Sequence, residues 1–163
     1  MILAAAAAEE PAVCFTPGED CAGAVVAEID SAKTQVLVQA YSFTSHEIAD
    51  ALTRARRRGI EVRVIVDKSQ SGSRYEQGVL DKMAEAGVAL LVDRAHAIAH
   101  NKVMVIDDAR VITGSFNFTE AAQSRNAENL LVLRDAALAA RYEANWQAHA
   151  RHSNPWEQRQ ALR

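Results

Sequence analysis

The sequence predicts an α/β fold: a single layered domain with a mixed, largely parallel central sheet flanked by helices. Three observations predict it. Short apolar, β-branched runs alternate with segments of helical spacing through the front half of the chain. A closely spaced pair of strand-like runs follows in the back half, which makes the sheet mixed. The length of 163 residues suits one core.

Ala12 to Phe15 reads as a first short strand, and Ala22 to Ala32 as a helix with Val25, Val26 and Ile29 on one side. Thr34 to Ala40 is a strongly apolar strand. Thr44-Ser45-His46-Glu47 reads as a capping box, with the hydroxyl three positions before the acid. It opens a helix carrying Ile48, Leu52 and Ala55 on one face and stopping at Gly59. Ile60 to Val66 predicts a strand buried on both faces. Ser69 to Ser73 is a polar loop, Tyr75 to Ala86 a helix, and Val88 to Val92 a strand. An irregular stretch runs from Asp93 to Ala99.

Lys102 to Ile106 and Arg110 to Thr113 form a predicted hairpin turning at Asp107-Asp108-Ala109. Phe118 to Ser124 is a short helical segment, and Asn129 to Leu133 a further strand. Asp135 caps a last helix carrying Leu138, Tyr142 and Trp146 on one face. The organisation expected is an end over 1–10 resembling the tail of a signal peptide, a catalytic domain over 11–152, and a loose tail over 153–163. The N-terminal stretch lacks the basic start and full apolar core of a leader.

A net charge of -3 excludes binding nucleic acid by bulk electrostatics. The basic run Arg54, Arg56, Arg57 and Arg58 reads first as a solvated helix end complementing the helix dipole. Any phosphate-bearing substrate must then be met by a local site. Cys14 and Cys21 fit no common zinc spacing, and Pro17-Gly18 between them can turn the chain back, so a disulfide is favoured. That points to a periplasmic or secreted protein, with the cytoplasm as the alternative.

The chemistry concentrates in 100–129. His100 and Lys102 stand two apart at a strand start, so both side chains share a face. An imidazole beside a fixed ammonium suits attack on a phosphodiester. Asp107, five past Lys102, has the wrong parity for that face and is expected to hold structure at the turn. Ser115 and Asn117 again share a face and offer hydrogen bonds to phosphate oxygens. Gly114 permits close backbone approach, and Phe116 and Phe118 point to the core. Glu128 is placed to accept from an imidazole and set its tautomer. Each residue alone reads more simply as surface or turn; their joint register within one segment favours a site. His46 and His96 read as a helix-start and a loop residue.

His100-x-Lys102-x-x-x-x-Asp107 followed by Gly114-Ser115-x-Asn117 resembles the paired signature of the phospholipase D superfamily. Residues 101–129, including Ser115-Phe116-Asn117-Phe118-Thr119 and Glu128-Asn129, and the upstream Ala40-Tyr41-Ser42-Phe43-Thr44 are similar to its small bacterial Nuc-type endonucleases. The resemblance covers roughly 12–150 of the chain. It implies a phospholipase D-like fold and a metal-independent phosphodiesterase with no cofactor, forming a phosphohistidine on His100. Lys102, Ser115 and Asn117 would bind the phosphoryl group, and Glu128 would orient an imidazole. A second acid must protonate the leaving group, and this chain has one His-x-Lys motif. The resemblance therefore implies a homodimer with two copies of His100 at the two-fold axis.

Nucleic acid, DNA before RNA, is the expected substrate, read through its backbone. The rivals are a lipid phosphodiesterase acting on phospholipid or cardiolipin, and an inactive nucleic-acid-binding module. A weaker one is a metal nuclease using Asp93, Asp107 and Asp108. No run is apolar enough over enough residues to cross a bilayer.

Overall fold

A computed structural model describes residues 10–72 and 74–157. The leader-like stretch before Glu10 and the tail beyond Glu157 lie outside the described residues.

The apolar runs form the strands and the amphipathic segments the helices. In chain order these are β1 (Ala12–Thr16), α1 (Cys21–Asp30), β2 (Gln35–Ala40), α2 (His46–Arg57), β3 (Glu61–Asp67), α3 (Arg74–Glu85), β4 (Ala89–Asp93), β5 (Lys102–Ile106), β6 (Arg110–Gly114), α4 (Glu120–Ser124), β7 (Glu128–Arg134), α5 (Ala136–Ala150) and β8 (Asn154–Pro155). One eight-stranded sheet runs in the order β1-β7-β6-β5-β2-β3-β4-β8.

The sheet is mixed, as expected, but it is not largely parallel. Parallel pairing is confined to β2-β3 and β3-β4. The β1-β7, β2-β5, β4-β8, β5-β6 and β6-β7 pairs are antiparallel. The strand–helix alternation does impose parallel crossovers, but it ends at β4. The chain then crosses to the other side of β2, where a tight hairpin joins β5 to β6 and β7 returns antiparallel beside β6.

Alternation along the strands sorts the core into two faces. Val36, Val38, Val64, Val66, Met104 and Ile106 pack under α1, α2 and α3. Leu37, Ile65, Val103, Val105 and Val111 pack under α5 with Ala139 and Trp146. Trp146 is fully buried, and its indole N–H donates to the Val38 carbonyl oxygen at 2.9 Å. The polar handle of a buried Trp is thereby satisfied.

Local differences from the sequence reading have local causes. The cap of α2 is Ser45, whose hydroxyl accepts from the Ile48 amide, one residue later than the Thr44 box. Thr44 and Ser45 instead donate their amides to the Phe118 carbonyl oxygen at 2.9 and 3.0 Å. That ties the turn after β2 to the loop after β6. The tail expected to be loose from Ser153 carries β8 on the β4 edge, and the Trp156 indole donates to Asp81 at 2.7 Å.

Cys14 and Cys21 form the expected disulfide, with Cα atoms 5.6 Å apart. The arginine run anchors the far end of α2. Arg54 pairs with Asp30 at 2.8 Å, Arg56 donates to the Gly87 carbonyl oxygen, and Arg58 to that of Ile29. No helix among the described residues is long and apolar enough to cross a membrane.

Candidate active site

The register Ala40↔Lys102, Asp67↔Asp93 and Gly114↔Leu130 brings one end of β2 to β7 together. There a cleft of about 500 Å³ opens, lined by His100, Lys102, Ser115, Asn117, Glu128 and Tyr142 among others. All the residues expected to carry chemistry thus lie at one place, on a surface that solvent reaches.

His100 sits just before β5, on the last step of the loop from β4. That loop is pinned from below by Asp67, which is buried. Its carboxylate accepts from the Ala99 amide at 2.7 Å and the Ser69 amide at 2.9 Å. Burial pushes the Asp67 carboxyl up, but these amides outweigh it and hold it below the usual range. His100 itself is exposed. Lys102 curls back toward it: Nζ donates to the His100 carbonyl oxygen at 2.8 Å and lies 3.3 Å from Nδ1. Burial pulls the Lys102 ammonium below its usual value, opposed by the charge of Glu128.

Tyr41, the residue after β2, completes this corner. Its amide donates to the Asn101 carbonyl oxygen at 2.9 Å, prolonging the β2-β5 pairing by one step. Its ring lies 4.6 Å from the His100 ring centre, and Lys102 Nζ lies 5.2 Å from the Tyr41 ring centre. A cation and an imidazole share one aromatic wall. Sequence reasoning gave Tyr41 no role, although it follows a strand that ends beside His100. Tyr142, read as a core-face residue of α5, packs against the core under that helix and also lines the cleft.

Across the cleft, Gly114 has φ 148°, and a Cβ there would stand 2.2 Å from the Asn129 carbonyl oxygen, so only glycine fits. This lets the 114–118 loop lie against β7. Phe116 and Phe118 are buried as expected. Ser115 donates to Glu128 at 2.6 Å and accepts from the Asn129 amide at 3.0 Å. Glu128 also accepts from Asn126 at 3.0 Å. Within the chain Glu128 therefore engages Ser115 and Asn126 rather than the His100 ring. Asn117 Oδ1 is buried and has no hydrogen-bond partner among the described residues. A buried polar atom left so costs about 1–3 kcal/mol.

Asp107 lies at the opposite end of β5, in the hairpin turn, with φ 53°. Its carboxylate accepts from the amides of Lys33, Thr34 and Gln35 and the Thr34 hydroxyl, and pairs with Arg110 at 2.8 Å. Asp93 stands at the cleft end of β4, so Asp93 and Asp107 are a strand length apart. At about 3.3 Å per residue along β5, they cannot share an ion, which removes the metal nuclease built on Asp93, Asp107 and Asp108. His46 packs its ring on Tyr75 at 5.8 Å and stays out of the cleft. His96 meets Asp93, His149 and His152 in a separate cluster.

The family model "Cardiolipin synthase, PLD-like domain" matches residues 25–150. A phospholipase D of Rickettsia conorii is 41% identical over 133 residues, 82% of this chain. The chain spans 66% of that relative, just under two thirds. A mitochondrial cardiolipin hydrolase of Chlamydomonas reinhardtii is 33% identical over 116 residues, 71% of this chain and 51% of the relative. Nuc of Salmonella typhimurium, solved as a phospholipase D family member, superposes with a TM-score of 0.86. It is 34% identical over 91% of this chain and 99% of its own. A mixed sheet flanked by helices, with a histidine–lysine pair opposite a Gly-Ser-x-Asn loop, places the chain in the phospholipase D superfamily. Within it, the chain belongs with the Nuc type.

Proposed function

We propose that this chain is a phosphodiesterase that cleaves nucleic acid, DNA before RNA, with little sequence preference and through a covalent histidine intermediate. The observation that carries the reading is the His100–Lys102 corner, 3.3 Å from ring nitrogen to ammonium. It faces a loop whose Asn117 side-chain oxygen is buried and unpartnered.

A ring nitrogen of His100 attacks phosphorus while the bond to the leaving alcohol breaks and that oxygen takes a proton. Water then attacks the same phosphorus, the P–N bond breaks, and the imidazole is regenerated. Lys102 steadies the non-bridging oxygens through its remaining N–H bonds. The Asn117 amide and the Ser115 hydroxyl, which Glu128 and the Asn129 amide hold in place, line the same cleft and donate to the same oxygens. The proton for the leaving oxygen comes from His100 of a second copy, an arrangement supported by the exposure of His100 and the single His-x-Lys motif. The disulfide suits an oxidising compartment such as the periplasm.

Lipid phosphodiester hydrolysis is the second reading. Ile98, two residues before His100, is 58% exposed, an apolar side chain beside the cleft, and the curated relatives carry lipid-hydrolase names. Rapid quenching with labelled plasmid DNA, chelator present, should trap an acid-labile phosphoryl group on His100. Labelled cardiolipin vesicles form the parallel arm. A label appearing only from vesicles transfers the proposal to lipid, and no label from either removes it.

A further inference from the structure

Asp93 ends β4 with its carboxylate fully buried. One oxygen, Oδ1, is taken up by the loop that follows, accepting from the amides of Ala95 at 3.0 Å and His96 at 3.3 Å. The other, Oδ2, faces three imidazoles drawn from two parts of the chain. His96 Nδ1 lies at 2.8 Å, His149 Nδ1 at 3.0 Å and His152 Nε2 at 3.4 Å. His149 is on the last turn of α5, and His152 is in the turn before β8. The rings of His96 and His149 stack with centres 4.8 Å apart, and His152 lies 5.1 and 5.3 Å from them. All four ligand atoms fall within 4.8 Å of one another.

Hydrogen bonding alone accounts poorly for this convergence. A carboxylate oxygen offers about two lone-pair sites, and three ring nitrogens are aimed at this one. None of those three nitrogens has another hydrogen-bond partner among the described residues. Protonating all three rings would pack three positive charges around a single carboxylate. A divalent cation resolves both difficulties, since each neutral imidazole then directs a lone pair to the ion. Bonds of about 2.0–2.2 Å in a tetrahedron set neighbouring ligand atoms roughly 3.3–3.5 Å apart. The Asp93 oxygen stands 2.8 to 3.4 Å from the three nitrogens, and all four ligand atoms lie within 4.8 Å of one another, so the oxygen has to move outward slightly and any wider pair of nitrogens has to draw in. Asp93-x-x-His96 and His149-x-x-His152 each place two of the donors three positions apart, so two short local pairs supply all four.

We propose that Asp93, His96, His149 and His152 bind one first-row transition cation, zinc foremost. Three nitrogen donors exclude magnesium and calcium, which take oxygen. Four protein ligands close the coordination sphere, so the ion is structural. None of the four residues lines the cleft of His100, and the proposal does not rest on the phosphodiesterase reading. The ion would clasp the end of α5 to the loop that delivers His100. That loop is held at two further points, by Lys68 on the His96 carbonyl oxygen at 2.7 Å and by Asp67 on the Ala99 amide.

The test uses the full, untagged chain purified without chelator. Elemental analysis should find about one zinc per chain. After stripping, zinc at 100-fold above its Kd should raise Tm by roughly 5–10 °C for a domain this size. Cobalt should give the intense visible absorption of a tetrahedral site. H96Q and H152A, altered at the two more exposed rings, should abolish the cobalt spectrum and the zinc-dependent rise in Tm, while H46A keeps both. A stripped, folded wild-type protein that takes up neither ion, with Tm unmoved, would overturn the proposal, as would H96Q and H152A binding like wild type. Turnover that depends on the added ion at a temperature where the stripped chain is folded would overturn its structural role.

Discussion

The two ends of β5 carry the same sequence motif and treat polar groups in opposite ways. At the Asp107 end, the carboxylate accepts three backbone amides and a hydroxyl and pairs with Arg110. At the His100 end, the imidazole is exposed and the amide oxygen of Asn117 is buried without a partner. A fold that satisfies its groups at one end and leaves them waiting at the other has divided its labour. The saturated end holds β2, β5 and β6 in register, and the open end is the one proposed to meet a ligand.

The sharpest break of that division is His100→Asn. Asparagine fills similar space and forms no stable bond to phosphorus, so turnover should fall by roughly 10⁴-fold or more. The exposed position predicts a Tm within error of wild type. A large loss of Tm with residual activity proportional to folded protein would make His100 a structural residue and erase the contrast.

Asp107→Asn probes the other end and should do the reverse. It removes charge-assisted bonds at a group that is mostly covered, for about 1.5–3 kcal/mol of stability. Activity per folded molecule should hold. Burial pushes the Asp107 carboxyl up, but the amides of Thr34, Lys33 and Gln35 prevail and keep it below the ordinary range. A depressed folded-state pKa stabilises above the unfolded value and loses its effect as pH falls through the folded one. Denaturant midpoints of wild type and variant should therefore differ by a constant amount above about pH 5 and converge in stronger acid. A gap that persists in acid would mean the effect is packing, not charge.

The legibility of the two ends in the sequence follows the same line. Asp107 was placed by strand parity alone, and the hairpin by two aspartates that tolerate positive φ, at 53° and 56°. His100, Lys102, Ser115 and Asn117 were found because one short segment holds them all. What could not be read is long-range. Which strand lies beside β2 depends on the route taken after β4, and no local pattern encodes it. β8 is two residues long, too short to show a period. Tyr41 reaches His100 only because β2 and β5 are neighbours. His96, read as a loop residue, gained its partners His149 and His152 from the far end of the chain. Ser45 rather than Thr44 caps the helix, and the amides of both are tied to the Phe118 carbonyl oxygen from far along the chain.

The smallest expected effect is the most discriminating. Glu128 sits at the open end, yet it is itself engaged, holding Ser115 and Asn126 while its charge opposes the fall of the Lys102 pKa. In Glu128→Gln that opposing charge is gone, and the Lys102 pKa should drop further. In the proposed reaction Lys102 carries its proton to steady the phosphoryl oxygens, so the alkaline limb of the rate profile should move to lower pH. The limb governed by the histidines should stay where it is. If instead the histidine limb moves, the carboxylate acts on an imidazole. The chain's own His100 makes no hydrogen bond to it, so an imidazole bonded to Glu128 would come from a second copy. A single pH profile thus separates a residue that tunes the lysine of its cleft from one that tunes an imidazole.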